Sequence, residues 1–488
     1  LSITTLITTD ITPAPLFWVI PLALYLLSFT LTFARRPLLS HTRMLRLQPV
    51  LVIAVAILVF LGFSDNAMVL IPVHLLAFFV TAMVCHGELA RTRPPVRHLT
   101  EFYLWVSVGG TLGGIFNVLV APVLFPRILE YPVGLAMGCL LRPAPRVERT
   151  RAGRTLDWAL PAAFAAALFA LTRTEFYRSP TVDHRFLLTA GFVSLVCVFF
   201  SPWPLRLGLG VGAALLLGTL NEHYDARVLL VKRTFFGIYT VRESLDDGGY
   251  HSLTHGTTVH GAQNLAHPRE PLTYYNRGGP LGHLFAALPP KPGRRVAVVG
   301  LGTGTTAAYG APGERWTYYE IDPAVVRIAR DPRYFTYLRD SPAQIGVVLG
   351  DARLSLARAP EHGYDLIVLD AFSSDAIPVH LMTREALRTY LAKLAPGGII
   401  AFHLSNRFLA LEPVVGALVR DAGVAGRLGE SLDPGGRYGS ASTWAVVARR
   451  ESDLASVLRD PHWRPLPVRP GMAPWTDDFS DLWSVLRP

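Results

Sequence analysis

The hydrophobic rhythm of the chain changes once, near residue 222. Before that point, apolar runs at 14–34, 49–63, 66–85, 102–125, 157–172, 186–201 and 203–219 are separated by short loops bearing arginine and proline. A bilayer core takes about 20 apolar residues per helix, fewer where flanking side chains reach the interface. The seven runs predict a multi-pass α-helical membrane domain over 1–222. Three of them (49–63, 157–172, 186–201) are short, and YPVGLAMGCLL at 131–141 predicts a re-entrant or interfacial segment. Beyond Asn221 the pattern shortens. RVLLVKRTFFGIYTVRES alternates as one or two strands, which predicts a small β-region over 223–292. From Arg294 onward, VAVVG, TYYEI, IGVVL, DLIVLD and GIIAFHL read as buried strands. AVVRIAR, TREALRTYLAKL and EPVVGALVRDA between and after them carry the 3.6-residue apolar period of helices. Strands alternating with helices predict an open, mainly parallel sheet, a Rossmann-like α/β domain over 293–488.

Composition agrees with this division. Only 17% of the 488 residues are charged, and the mean hydropathy is +0.34, unusual values for a soluble enzyme. The net charge of +10 does not predict a nucleic-acid partner, because much of it falls in loops beside apolar runs. Arg35, Arg36, Arg43 and Arg46 follow the first run, and Arg91, Arg93 and Arg97 the third. Arg142, Arg146, Arg149, Arg151 and Arg154 follow the segment at 131–141. By the positive-inside rule these loops are cytoplasmic, which conflicts with a seven-span count that leaves the C-terminal domain in the cytoplasm. Either 131–141 crosses or one later run does not. Residues 1–13 resemble no signal peptide, and without an initiator Met an upstream part can precede them. Cys85, Cys139 and Cys197 lie in apolar stretches and read as packing residues. No Cys/His spacing predicts a zinc site.

The chemistry is concentrated at the strand ends of the α/β half, where such sheets collect ligands. Gly300, Gly302 and Gly304 follow the first strand, where glycine permits a sharp turn and the close approach of a ligand. The GLGTGTTA loop also satisfies a dinucleotide pattern, so by itself it leaves nicotinamide and S-adenosyl ligands open. Glu320 ends the second strand, twenty residues after Gly300, where a carboxylate can accept both hydrogen bonds of a ribose diol. Asp351 ends the third strand and can accept from an adenine amino group. A dinucleotide fold does not need it, which favours an adenosyl ligand. Asp370 ends the fourth strand, and Asp375 follows in AFSSDAIP. Two carboxylates beside a nucleoside pocket suit a cationic amine, and one of them can take its proton. Asp375 serves equally well as a helix cap.

These residues resemble the spermidine synthase family, the polyamine aminopropyltransferases, and in particular its membrane-fused branch. The resemblance covers about 226–488 for the enzyme, and PLFWVIPLALYLLSF, CHGELARTRP and HLTEFYLWVSVGG resemble the branch's membrane portion. It implies a small β-region followed by a Rossmann-like, methyltransferase-type sheet. It implies transfer of an aminopropyl group from decarboxylated S-adenosylmethionine to putrescine, with release of methylthioadenosine and no permanently bound cofactor or metal. Carried over residue by residue, the loop with Gly300, Gly302, Thr303 and Gly304 cradles the nucleoside and the donor's chain. Glu320 holds the ribose hydroxyls, Asp351 and Ala352 meet the adenine, and Asp370 is the base. HGTTVHGAQ and EPLTYY resemble further family signatures, which place Gln263 at the sulfonium donor and Tyr275 in the acceptor channel. His255, His260 and Tyr274 in those segments read equally as local packing. Homodimerisation is common in the family, and its adenosyl donors place the domain in the cytoplasm of a membrane-embedded, lipid-contacting protein, expected in a bacterial inner membrane.

Two departures bear on the substrate. Thr303 stands where the family commonly carries an aspartate for the donor's aminopropyl amine, and DAFSSD lengthens the family's D-S-S-D motif. Loss of that acid relaxes rejection of intact S-adenosylmethionine, so a lyase, cyclase or other transferase acting on it is an alternative. A polyamine sensor or transporter is another, with His74, Glu88 and Glu101 the acids and bases nearest the apolar runs. A methyltransferase fits the sheet but not the HGTTVHGAQ and DAFSSD segments. Asp477, Asp478 and Asp481 near the C-terminus read as either an acceptor-site cover or a solvated tail. His403, Ser405 and Asn406 follow the fifth strand and border the same pocket.

Overall fold

The computed structural model describes all residues except 9–16, 37, 63–66, 146–149, 175–176, 178–181, 221–225, 245–248, 257, 372–377, 433–437 and 488, and it describes only the backbone of 182–186. The chain forms two compact units, Leu1–Tyr224 and Asp225–Pro488.

The first unit is helical. Among the described residues, each of the seven apolar runs coincides with a helix: Val19–Phe33, His41–Phe60, Ala67–Arg91, Val96–Leu124, Arg151–Leu171, Val182–Phe200 and Pro204–Leu220. Four of these (His41–Phe60, Ala67–Arg91, Val96–Leu124 and Arg151–Leu171) are long and apolar enough to cross a membrane. The segment at 131–141 is an eighth helix, Glu130–Leu140, of 11 residues. At 1.5 Å per residue it is about 16 Å long, half of a bilayer's hydrocarbon core. It is packed inside the unit, where Gln48 donates to the Gly138 carbonyl at 3.1 Å and His74 Nδ1 meets the Tyr131 hydroxyl at 2.8 Å. Hydropathy could not show one feature. Asp157, at the start of an apolar run, is buried and paired with Arg206 of Pro204–Leu220 at 2.8 Å.

The second unit opens with an antiparallel meander of β1 (Ala226–Arg233), β2 (Ile238–Ser244), β3 (Tyr250–His255) and β4 (Thr258–Asn264). The alternating segment is therefore two strands, turned at Gly237. An eight-stranded sheet follows. Its parallel part consists of β5 (Arg295–Val299), β6 (Arg315–Glu320), β7 (Gln344–Leu349), β8 (Tyr364–Leu369) and β9 (Leu394–His403). The strands of this sheet run β12-β10-β11-β9-β8-β5-β6-β7; β11 (Ser442–Ala448) pairs antiparallel with both β9 and β10 (Ala425–Ser431), and β12 (Trp463–Pro465) pairs antiparallel with β10. This is a Rossmann-like sheet of the methyltransferase type, in which an antiparallel strand is inserted between the last parallel strand and its successor. β10 carries no apolar period, since AGRLGES offers two glycines and two charges, whereas β11, STWAVVA, is buried throughout.

Alternate residues of the parallel strands feed two cores, one on each face. Val296, Val298, Trp316 and Tyr318 pack on one side, and Ala297, Val299, Tyr319 and Ile367 on the other. The helices between strands are capped at the ends nearest the site. Asp322 accepts from Ala324 N–H at 2.7 Å ahead of Pro323–Arg330, and Asp351 accepts from Leu354 N–H at 2.9 Å ahead of Ala352–Ala357. The order of connections reverses between β5 and β8, and a doubly wound sheet opens its ligand crevice at such a point.

Candidate active site

A cavity lies at that reversal, the place where small-molecule sites of such sheets form. Gly300, Leu301 and Gly302 form its floor, and Phe236, Tyr239, Leu253 and His260 of the β-meander line it too. Glu320, Ile321, Asp351 and Ala352 border it from β6 and β7, and Tyr274, Tyr275 and Asp370 from the adjoining elements.

The loop after β5 fits around its neighbours only as glycine. Gly300 has φ +92°, and a Cβ there would lie 2.9 Å from the Asp370 carbonyl carbon. The close approach sets Asp370 directly beside the glycine loop. Gly302 (φ +53°) faces the His260 backbone in the same way.

Both oxygens of Glu320 already take backbone N–H groups, Leu301 at 3.0 Å and Asp322 at 2.8 Å. Burial raises its pKa, and those backbone donors partly oppose the shift. Each oxygen keeps a second lone pair, so a ribose diol remains within the group's capacity. Asp351 spends one oxygen on its helix cap, and the other lies 3.5 Å from His380 Nε2.

Asp370 is the centre of a buried network. Its Oδ2 accepts a short hydrogen bond from the Tyr275 hydroxyl, and its Oδ1 is 2.7 Å from His403 Nδ1. The Asp370 and His403 side chains are 5% and 4% exposed. Because a carboxylate only accepts, the proton between them belongs to Nδ1. Nε2 shares a 2.8 Å hydrogen bond with the Ser405 hydroxyl, and Ser405 accepts from Thr443 N–H at 2.9 Å. The imidazole is stacked between Tyr274 and Trp444, with centroids at 4.6 and 4.5 Å. Burial first, and the Asp370 charge second, hold the Tyr275 phenol well above its usual pKa, so it stays a donor. Burial pushes His260 down to about 3 and His255 to about 4, so both rings are neutral at pH 7. Among the described residues, His260 Nε2 has no hydrogen-bond partner.

Of the predicted site residues, Gly300, Gly302, Glu320, Asp351, Ala352, Tyr275 and Asp370 come together at this cavity. Gln263, Thr303 and Gly304 are not among its lining residues. Gln263 is fully buried, donates to Pro268 O (2.7 Å) and Thr336 Oγ1 (2.9 Å), and accepts from Thr336 N–H (2.8 Å). Its amide braces β4 against the Thr336 segment, in place of the expected donor contact. Thr303 shares a 2.6 Å hydrogen bond with Thr305 and is 1% exposed. Gly304 packs near Leu338. Asp375 lies outside the described residues. The acidic C-terminal stretch does not line the cavity: Asp477 forms a bidentate pair with Arg353 and accepts from Thr383. Arg353 also donates to the carbonyl of cavity-lining His380.

The main residue that sequence reasoning left imprecise is His403. A signal existed, because β8 and β9 pair with Leu369 opposite Phe402. The next residue on each strand is then Asp370 and His403.

No family model matches the chain. A stretch of 116 residues, 23% of the chain, is 39% identical to a polyamine aminopropyltransferase of Vibrio vulnificus. A stretch of 119 residues is 38% identical to an N-terminal histidine N-methyltransferase of Emericella nidulans. The chain spans 37% of the first relative's length and 20% of the second's. Among solved structures, a probable spermidine synthase from Corynebacterium glutamicum aligns over 53% of this chain and 98% of its own, at 15% identity and a TM-score of 0.41. Spermidine synthase from Thermotoga maritima aligns over 50% of this chain and 81% of its own, at 15% identity and a TM-score of 0.36.

Proposed function

We propose that the second unit, a relative of the spermidine synthase family, is an aminopropyltransferase that moves the chain of decarboxylated S-adenosylmethionine onto a polyamine such as putrescine. The reading rests on one juxtaposition, the buried carboxylate of Asp370 beside a glycine-floored cavity that Glu320 and Asp351 also border. The acceptor nitrogen attacks the donor carbon bonded to the sulfonium sulfur. The C–N bond forms, the C–S bond breaks with its electron pair going to sulfur, and methylthioadenosine leaves. The attacking nitrogen must shed a proton, and Asp370 is the acceptor. Tyr275 and His403 each donate to one of its oxygens, which fixes the carboxylate and leaves its remaining lone pairs for the amine. The sulfonium is already a good leaving group, so alignment supplies most of the acceleration. Glu320 orients the ribose and Asp351 with Ala352 the adenine.

The first unit is proposed to embed the enzyme in a membrane, with its active site on the cytoplasmic side. Its four long apolar helices support this. One observation favours a second reading. Thr303 is a buried hydroxyl bonded to Thr305, so the glycine loop itself brings no carboxylate to repel the carboxylate of intact S-adenosylmethionine. A lyase, cyclase or transferase using that donor follows from it.

Asp370→Asn tests the assignment. Methylthioadenosine release should fall by at least about 100-fold, the scale of a lost general base, while nucleoside binding by calorimetry persists. Unchanged turnover removes Asp370 from its role.

A further inference from the structure

Away from the cavity, three metal-ligating side chains converge. His283 Nδ1 lies 2.6 Å from Asp460 Oδ2, and His462 Nδ1 lies 2.6 Å from Asp460 Oδ1. The three donor groups fall within 4.8 Å of one another. His283 is on the helix Pro280–Ala287, while Asp460 and His462 precede the edge strand β12. The rings lie side by side, with centroids 4.3 Å apart. We propose that His283, Asp460 and His462 bind a divalent transition-metal ion of the zinc type.

The second observation behind this is the environment of the other His283 nitrogen. Its Nε2 is 3.2 Å from the Gly278 carbonyl oxygen. A carbonyl can only accept, so Nε2 carries a proton. With one proton on the ring, Nδ1 presents a lone pair to a carboxylate oxygen at 2.6 Å, and two acceptors at that distance repel. Lone pairs facing each other in this way suit a shared cation. An imidazole that donates its far N–H to a backbone carbonyl while its near nitrogen faces a carboxylate has the outer-shell arrangement of a metal-binding histidine.

Two imidazole nitrogens and one carboxylate oxygen are a donor set suited to zinc, and three protein ligands leave a fourth position for water. Bonds of about 2.0–2.2 Å in a tetrahedral site separate ligand atoms by about 3.4 Å. The two histidines face different oxygens of Asp460, so with one carboxylate oxygen as ligand one hydrogen-bonded pair opens by about 0.8 Å and the widest donor pair, within 4.8 Å, closes by up to about 1.4 Å. The His462 side chain is 58% exposed and is free to make that adjustment. Bound metal would tie Pro280–Ala287 to the strap ahead of β12. That helix begins five residues beyond Tyr275, so the ion would also steady the segment that delivers Tyr275 to Asp370. The proposal does not depend on the aminopropyltransferase reading. Sequence spacing hid it, because His283 and Asp460 are 177 residues apart.

The test is zinc content and affinity of the purified full chain. After chelator treatment and dialysis against Zn²⁺, elemental analysis should find about one more Zn²⁺ per chain in the wild type than in His462→Ala. The affinity measured with a competing fluorescent chelator should fall at least about tenfold in His462→Ala and in His283→Gln, since loss of even an outer-shell partner costs about 10–100-fold. Zn²⁺ should raise the wild-type melting temperature and leave that of His462→Ala unmoved. His462 is exposed enough that its replacement does not threaten folding. Failure to bind Zn²⁺, or equal binding by wild type and both variants, overturns the proposal and leaves His283 and His462 as hydrogen-bond partners of Asp460.

Discussion

Replacing Gly300 by alanine perturbs the loop where it meets the proposed base. The residue has φ +92°, a region non-glycine residues enter at a cost of about 1–3 kcal/mol. The added Cβ would lie 2.9 Å from the Asp370 carbonyl carbon and closer still to its oxygen. Carbon atoms in good contact are about 3.5–4.0 Å apart, so the Asp370 backbone must retreat by about half an ångström or more. Overpacking of that kind costs a further ~1–3 kcal/mol. Together the two give a loss of about 2–6 kcal/mol, or about 4 °C or more in melting temperature at the ~2–4 °C per kcal/mol of a unit this size. Displacing a catalytic group by about 1 Å can cost about 100-fold in rate, so methylthioadenosine release should drop by about 10–100-fold even below the melting transition. The assays are differential scanning calorimetry of the detergent-purified chain and product detection by mass spectrometry. A Gly300→Ala protein with wild-type melting and wild-type turnover would refute both the packing argument and the place given to Asp370.

Other consequences follow from the same network. His403→Phe removes a donor to a buried carboxylate and should cost about 1.5–3 kcal/mol, with turnover falling far more than donor affinity; His403→Gln, which keeps a donor, should recover part of the loss. Equal turnover in wild type and His403→Phe would confine the histidine to packing. His260 and His255 stay neutral in the native state, with pKa values pushed down to about 3 and 4, whereas in the unfolded chain they protonate near 6.5. The unfolded state then binds more protons between about pH 4 and 6.5, so the stability present above pH 6.5 is lost as pH falls. The wild-type melting temperature should fall more steeply than that of His260→Asn between pH 7.5 and 5.5, and parallel slopes would contradict this. In the helical unit, Asp157→Asn leaves Arg206 buried without its charged partner and should cost about 3–5 kcal/mol, read as earlier thermal aggregation in detergent.

Elements with a strong local period were legible in the sequence. The five parallel strands and the helices Pro323–Arg330, Arg384–Lys393 and Glu412–Ala422 carry their apolar pattern within a few residues. The strand-end acids were legible as well, because a doubly wound sheet assigns its strand ends to the ligand side. What depended on pairing across the sheet was not. Asp370 and His403 meet only because β8 and β9 adopt one register, and a reading of isolated strands contains no register. The environment of Gln263 was hidden for a related reason: its motif names a residue type, and only the fold shows its amide bonded to Thr336. Likewise β10 and β12 owe their strand state to neighbours in the sheet, not to their own composition.

The claim that this cavity transfers an aminopropyl group to an amine is tested most directly by following methylthioadenosine. Purified full chain is incubated with decarboxylated or intact S-adenosylmethionine, each with and without putrescine. Release is expected only where the decarboxylated donor and the amine are both present. Release from the intact donor alone, or no release from any mixture, would contradict it.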